Sequence, residues 1–287
     1  MGMFFARVNR RCAIFMRQSR RARRAPPKSR APLNAWRRKR RAVESERNKC
    51  IAWVRHLCEG MIMGSEIGVG TGMTDTATMR HAMVASQLRT TGVDDIRVVA
   101  AMASVAREDF VPAEARTLAY RDTPIPLGRG RYLNNPMATG RLLTEAAILP
   151  QDRVLLIGAA TGYTAAVLVE LGATVTAVES DAELLATARA AMPGAAGITW
   201  IEGPMAEGHA AGAPYDVLLV DGSVEELPAA LVAQLRVEGR IAAGIVDKNV
   251  TRLTSGRRTE GGVGVMPFVD AECVVLPGFA KPTAFRF

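Results

Sequence analysis

From Arg153 onward, short apolar runs alternate with segments whose apolar residues recur at helical spacing. Residues 154–158 (VLLIG), 174–180 (TVTAVES), 198–203 (ITWIEG), 215–221 (YDVLLVD) and 239–246 (GRIAAGIV) read as five strands, the first of a fully buried type. Residues 161–171, 181–192 and 227–239 read as the helices between them. Strands alternating with helices of this length predict an α/β fold, a mostly parallel sheet with helices on both faces. Two strand-like runs within residues 263–279 are expected to finish the sheet.

Upstream of the sheet the period is helical. Residues 73–92 place Met79, Met83, Val84 and Leu88 on roughly one side, with Gly92 beyond the end. Asp94 or Asp95 can cap a second helix running to Ala106, and residues 137–147 read as a third. The Pro- and Gly-rich stretch 109–136 reads as loop. Residues 51–63 are apolar enough for one short helix, and the glycine-rich residues 64–72 read as a linker.

Charge divides the chain near the same point. The 287 residues carry a net charge of +9, yet residues 1–50 hold 14 Arg, 3 Lys and only 2 Glu. The remainder is mildly acidic, so the basic character belongs to the N-terminal stretch, which cannot supply a packed core. The chain therefore divides into a basic extension, 1–72, and a folded domain, 73–287. The preferred account of the abrupt change is that the extension is disordered or is not made, with translation starting at Met73. If the extension is made, its basic residues suit nucleic-acid phosphates; without it no nucleic-acid partner is expected. No apolar run approaches the roughly 20 residues of a membrane span, and the start lacks a signal-peptide pattern. Cys12, Cys50, Cys58 and Cys273 have neither zinc nor redox spacing, and His56, His81 and His209 share no ligand-like spacing, so no metal is expected. Cys273 reads as a buried small residue and Trp200 as core. A cytoplasmic monomer is the expectation.

The candidate chemistry lies in the first strand–turn–helix–strand unit. Gly158 closes the strand, Gly162 opens the helix, and Glu179 ends the second strand. A carboxylate at that edge can accept both hydroxyls of a ribose. The dinucleotide fingerprint G-x-G-x-x-G is incomplete, because Ala160 stands at its second glycine, so nicotinamide is the less favoured ligand. Asp221 ends the fourth strand on the same edge. It reads as a pocket-wall acid or as the cap of the following helix, with the cap preferred.

The order of segments carries a further reading. Gln87-Leu88-Arg89, Ala101-Met102, Val105, Arg107-Glu108, Phe110-Val111-Pro112, Ala119-Tyr120, Asp122 and Leu127-Gly128 precede Leu133-Asn134-Asn135-Pro136, VLLIGAATGY and YDVLLVDGSVEELPAALVAQL. Over about residues 80–250 this order resembles the protein-L-isoaspartate O-methyltransferase family. The resemblance implies a Rossmann-like methyltransferase sheet with extra N-terminal helices. It implies S-adenosylmethionine as cofactor and isoaspartyl residues of damaged proteins or peptides as substrate. Methyl transfer of this kind is largely an orientation problem and needs no metal. Carried over by position, Asn134 and Asn135 stand at the substrate-carboxylate loop. Gly158, Ala160, Thr161, Gly162, Glu179, Ser180, Pro204, Met205 and Asp221 line the cofactor.

Four positions depart from the family pattern. Asn134 replaces a serine, and Leu156 replaces an acid in the first strand. Gly158-Ala159-Ala160-Thr161-Gly162 is bulkier than the usual turn, and Gly203-Pro204-Met205 lacks an acid expected near adenine. The alternative these changes raise is a degenerate member that binds the cofactor or a partner without isoaspartyl turnover.

Overall fold

The computed structural model describes residues 75–281. The helix expected within 51–63, the linker and the basic extension lie outside the described residues. Helix α1 (Thr76–Met83) starts at Asp75, whose carboxylate accepts from the Ala77 N–H, and runs on into a single wider turn, Val84–Leu88. Helix α2 (Ile96–Ser104) is capped by Asp95, not Asp94, and ends two residues short of the expected Ala106. The stretch expected to be loop has structure of its own. It holds two 3₁₀ turns (Arg107–Phe110 and Ala113–Leu118) and a hairpin of β1 (Ile125–Gly128) and β2 (Arg131–Leu133). Helix α3 (Pro136–Ala146) follows, with Asn135 as its N-cap and Pro136 in its first turn.

The alternating unit then runs β3 (Arg153–Ile157), α4 (Tyr163–Glu170), β4 (Thr174–Glu179), α5 (Ala182–Ala191), β5 (Ile198–Glu202), β6 (Tyr215–Val224), α6 (Ala229–Ala233), β7 (Leu235–Asp247), β8 (Val250–Thr259) and β9 (Gly262–Asp270). The seven-stranded sheet has the order β5-β4-β3-β6-β7-β8-β9. Strands β3 to β7 are parallel, and β8 and β9 join antiparallel. This is the expected mostly parallel Rossmann-like sheet with N-terminal helices. Alternate residues of β3 enter two cores: Val154 and Leu156 pack with the helices α1 to α4, while Leu155 and Ile157 pack with Tyr215, Leu231 and Leu276 on the other face.

Three further elements differ from the sequence reading. The helix expected over 227–239 stops at Ala233, because Tyr215 N–H donates to the Gln234 carbonyl and Tyr215 pairs with Leu235, drawing the chain into β7. The polar run of β8 lacks the apolar alternation that marks a strand, yet it pairs along its whole length with β7 and β9. Of the two strand-like runs in the tail, the first is β9. The second makes only one bridge, Ser223 to Val275.

One polar cluster ties the N-terminal helices together. Arg80 donates to the Tyr120 hydroxyl at 2.7 Å and to Glu108 at 2.9 Å, Tyr120 also donates to Glu108, and Gln87 donates to the Tyr120 carbonyl. Burial pushes the Glu108 carboxyl up, but the Tyr120 hydrogen bond and the Arg80 charge outweigh it and hold the carboxyl below its ordinary range.

Two outcomes follow. Leu156 is fully buried between β4 and β6, so Leu156→Ala is expected to cost about 2–5 kcal/mol in urea unfolding. The depressed Glu108 value stabilises the fold fully above the unfolded carboxylate range, about pH 4.3, and that contribution is lost as pH falls through the lower folded value. Urea midpoints measured down to about pH 3 should therefore fall less steeply with acid in Glu108→Gln than in the unmodified protein.

Candidate active site

The strand register brings the candidate residues to one edge. Ile157 pairs with Val178 on one side and Val220 on the other, so Gly158, Glu179 and Asp221 follow at a common level beyond the carboxyl ends of β3, β4 and β6. That edge is where open parallel sheets bind ligands. Two polar groups form there, one around each carboxylate.

Glu179 is fully buried. Its Oε2 accepts from the Ala160 N–H at 2.8 Å and from Arg131 Nη2 at 2.9 Å. Its Oε1 accepts from Arg131 Nη1, from the Ser180 N–H at 2.8 Å and from the Asp181 N–H at 3.1 Å. The turn that reaches it needs unusual backbone: φ is 79° at Gly158, 47° at Ala160 and 96° at Gly162. Ala160 thus holds a left-handed conformation that disfavours a side chain, and in return presents its N–H to Glu179. Gly162 owes its small size to protein packing, because a Cβ there would meet Trp200, Met192 and Ala188 at 3.0–3.1 Å. Those neighbours belong to α5, to the residue that follows it, and to β5. Trp200 packs there half-buried. The Thr161 hydroxyl is spent on the Phe110 carbonyl at 2.5 Å.

Asp221 lies inside β6 and caps no helix, which overturns the preferred sequence reading. Its carboxylate accepts from Asn134 Nδ2 at 2.9 Å, from the Thr139 hydroxyl at 3.2 Å and from the Thr164 hydroxyl. Asn134 is held at its other end by the Val274 N–H, which donates to Oδ1 at 2.8 Å. An acceptor on one side and a donor on the other fix which way the amide faces. Asn135 has both polar atoms committed: Oδ1 accepts from the Ala138 N–H as the N-cap of α3, and Nδ2 donates to the Glu272 carbonyl.

Arg107 lies fully buried behind this group. It donates to the carbonyls of Ala119 and Asn134, and its guanidinium carbon stands 4.8 Å from the centre of the Tyr163 ring. Its Nη1 has no hydrogen-bond partner. Burial pulls the Arg107 guanidinium down from its ordinary range, and the charge of Asp221 opposes that shift.

The Gly203-Pro204-Met205 segment joins neither group through its side chains. Pro204 is exposed, and Met205 is buried in the second core with Ile157 and Val178. Cys273 is buried, and burial holds its thiol above the usual range. Beside Glu179 lies an open cavity of about 400 Å³ lined by Arg129, Arg131, Ser180–Glu183 and Pro277. Among the described residues no cluster of His, Cys, Asp and Glu has the grouping to hold a metal, and no helix is long and apolar enough to cross a membrane.

Sequence reasoning missed Arg107, Arg131, Thr139, Thr164 and Leu276. Arg107 stood among the ordered family-like segments without a site role, and Arg131 left a signal in the alternation Arg131-x-Leu133 that places it on the buried side of β2.

Residues 78–274 match the family model described as Protein-L-isoaspartate(D-aspartate) O-methyltransferase. The protein-L-isoaspartate O-methyltransferase of Koribacter versatilis is 38% identical over 208 residues, covering 72% of this chain and 94% of that protein. The same-named protein of Methanoculleus marisnigri is 36% identical over 69% of this chain and 91% of its own length. Among solved structures, a protein-L-isoaspartate O-methyltransferase superposes with a TM-score of 0.62 at 22% identity, over 69% of this chain and 66% of that one. A Plasmodium falciparum structure described as a complex with S-adenosyl-L-homocysteine gives 0.60 at 18% identity, over 71% of this chain and 99% of that one. These two structural matches speak to the fold.

The three donors converging on Asp221 make it a stability residue as well. Asp221→Ala leaves one amide and two hydroxyls buried without an acceptor, each costing about 1–3 kcal/mol. Its urea unfolding free energy is expected to drop by about 3 kcal/mol or more, and that of Asp221→Asn by less. A mere helix cap would cost only about 1 kcal/mol.

Proposed function

The chain belongs to the protein-L-isoaspartate(D-aspartate) O-methyltransferase family, and from that premise we propose which of its residues carry the family's reaction. It is an S-adenosylmethionine-dependent carboxyl O-methyltransferase that acts on isoaspartyl residues of damaged protein. The cofactor supplies a methyl group already activated on sulfur. The protein's work is therefore to hold a carboxylate in line and keep water out.

The residues at the sheet edge suit that cofactor. Glu179 is a ribose-accepting carboxylate at the end of the second parallel strand, and the cavity beside it runs along Ser180–Glu183. We assign Gly158 to Gly162, Glu179 and Ser180 to the cofactor. Glu179 would accept the ribose hydroxyls, and the backbone of the 158–162 turn would lie against the rest. Leu156 is buried inside the first core, and Met205 serves as core beneath the turn.

The observation that carries the substrate assignment is the fixed amide of Asn134. Its Nδ2 is directed by Asp221 and its Oδ1 by Val274, which leaves one amide hydrogen for an incoming carboxylate. A substrate carboxylate beside Asp221 alone would be repelled. Buried Arg107, whose guanidinium bonds to the Asn134 carbonyl, brings a positive group to the same side to oppose that repulsion. Asn135 holds the loop as the helix cap instead of touching substrate. The monomeric state is proposed with this reading. The cytoplasmic setting is proposed because the cysteine spacing is not the disulfide framework of a secreted protein, and a nucleic-acid contact rests on residues 1–50 alone.

Methyl transfer from labelled cofactor to an isoaspartyl peptide tests this reading. The unmodified chain is expected to turn over that peptide and to leave its normal aspartyl counterpart unmethylated. Removing one hydrogen bond to a charged group costs about 1.5–3 kcal/mol, so Asn134→Ala should lower kcat/KM by roughly 10–150-fold. Asn134→Ser, which keeps a donor, should lower it less. A chain that methylates neither peptide, or an Asn134→Ala variant with unchanged kcat/KM, refutes the assignment.

A further inference from the structure

We infer that this site is closed by two of the chain's own side chains, Arg131 and Leu276, and that the cofactor binds only after both withdraw. The inference rests on the assignment of Glu179 and the 158–162 turn to the cofactor.

The polar half of the closure is at Glu179. A carboxylate offers about four lone-pair directions, and five N–H donors already converge on this one. Three are backbone groups of the turn and of the strand end, which are fixed by the fold. The two that can leave belong to Arg131, whose side chain is 5% exposed. A ribose diol can reach Glu179 only in place of that guanidinium. Arg131 also keeps its Nε buried without a partner. The closed state therefore carries an unpaired N–H that a solvated Arg131 would not.

The apolar half is at Gly158. A Cβ there would stand 2.8 Å and 3.0 Å from the two terminal carbons of Leu276, and a Cβ at Gly222 would stand 2.6 Å from its Cγ. The Leu276 side chain thus fills the notch between the glycine after β3 and the glycine in β6, the place where a ligand lying on the turn would sit. The segment that carries it is tied down by three backbone bonds. The Leu276 N–H donates to the Ser223 carbonyl, the Ser223 N–H to the Val274 carbonyl, and the Val274 N–H to Asn134.

Both closures belong to short segments that meet at one cavity, which Arg129 and Arg131 line from the hairpin and Pro277 from the tail. The hairpin turns at Arg129-Gly130, both with positive φ. Its outer ties are two ion pairs of the exposed Arg129, to half-buried Asp181 and exposed Glu183, of little strength. The hairpin lies outside the seven-stranded sheet and can move without breaking its ladders, whereas the tail backbone is bridged to Ser223 of β6, so Leu276 withdraws by turning its side chain. Apparent affinity then falls by the fraction of molecules that are open.

The test uses the full chain and S-adenosylhomocysteine, with affinity read by calorimetry and binding rate by stopped-flow tryptophan fluorescence, since Trp200 packs on Gly162. In the unmodified chain the observed rate should level off as ligand concentration rises, at the rate of opening. Arg131→Gln and Leu276→Ala should each raise that plateau and tighten binding by roughly tenfold. A rate that rises linearly in the unmodified chain overturns the inference, as do variants that fold and bind with unchanged affinity and rate. Should Arg131→Gln fail to fold, the unmodified chain and Leu276→Ala decide the matter. The underlying ribose assignment is read separately with an analogue of the product lacking the ribose 2′-hydroxyl. If that analogue binds as well as the product, the assignment fails. If it binds more weakly while both variants behave as the unmodified chain, the closure fails alone.

Discussion

Two carboxylates end up buried at the same edge of one parallel sheet, Glu179 on β4 and Asp221 on β6, with β3 between them. Removing an ionised carboxylate from water costs several kcal/mol unless donors surround it. Much of what is unusual about this chain can be read as the supply of those donors. The turn after β3 bends through left-handed backbone so that Ala160 can donate to Glu179. A hairpin in a region without obvious pattern delivers Arg131. Helices α3 and α4 each contribute a threonine to Asp221, and the loop before α3 contributes Asn134.

The N-terminal segments that mark the family are the outer layer of the same arrangement. Gln87, Glu108 and Tyr120 bond to one another's segments. Arg107 passes from that layer to the Asn134 carbonyl and the face of Tyr163, the residue that opens α4. Their ordered spacing along the chain is therefore a spacing in a hydrogen-bonded shell. Asn134 thus bonds to β6 through Asp221, to the tail through Val274, and by its backbone carbonyl to the N-terminal turn through Arg107.

The departures from the family pattern sort differently in three dimensions than along the chain. Leu156 is packed in the first core, whereas Pro204, at the position of the acid expected near adenine, is exposed with Met205 buried after it in the second core. Ala160 keeps the strained conformation despite its methyl group. Asn134 meets Asp221 as a matched donor and acceptor. The degenerate reading draws no support from the family match. The features that hold ligand out, Arg131 and Leu276, are also those that satisfy or fill the site, so stability of the closed fold and access to it work against each other.

The alternation of apolar strands and helices was enough to predict the parallel sheet, because burial on both faces leaves a continuous apolar run that local sequence reports directly. The glycine turn and Glu179 were legible for the same reason, since strand ends follow from strand positions. The short α6, the polar β8 and the β1–β2 hairpin were not. Their backbone is set by partners far away in sequence: Tyr215 pairing with Leu235, β8 between β7 and β9, and Arg131 reaching across 48 residues to Glu179. Asp221 shows the division most clearly. A carboxylate at a strand end before a helix reads locally as a cap, and only the packing of α3, α4 and the Asn134 loop around it supplies three buried donors. No local pattern encodes such convergence, because the cost of burying a charge is met by whichever groups the tertiary fold brings near.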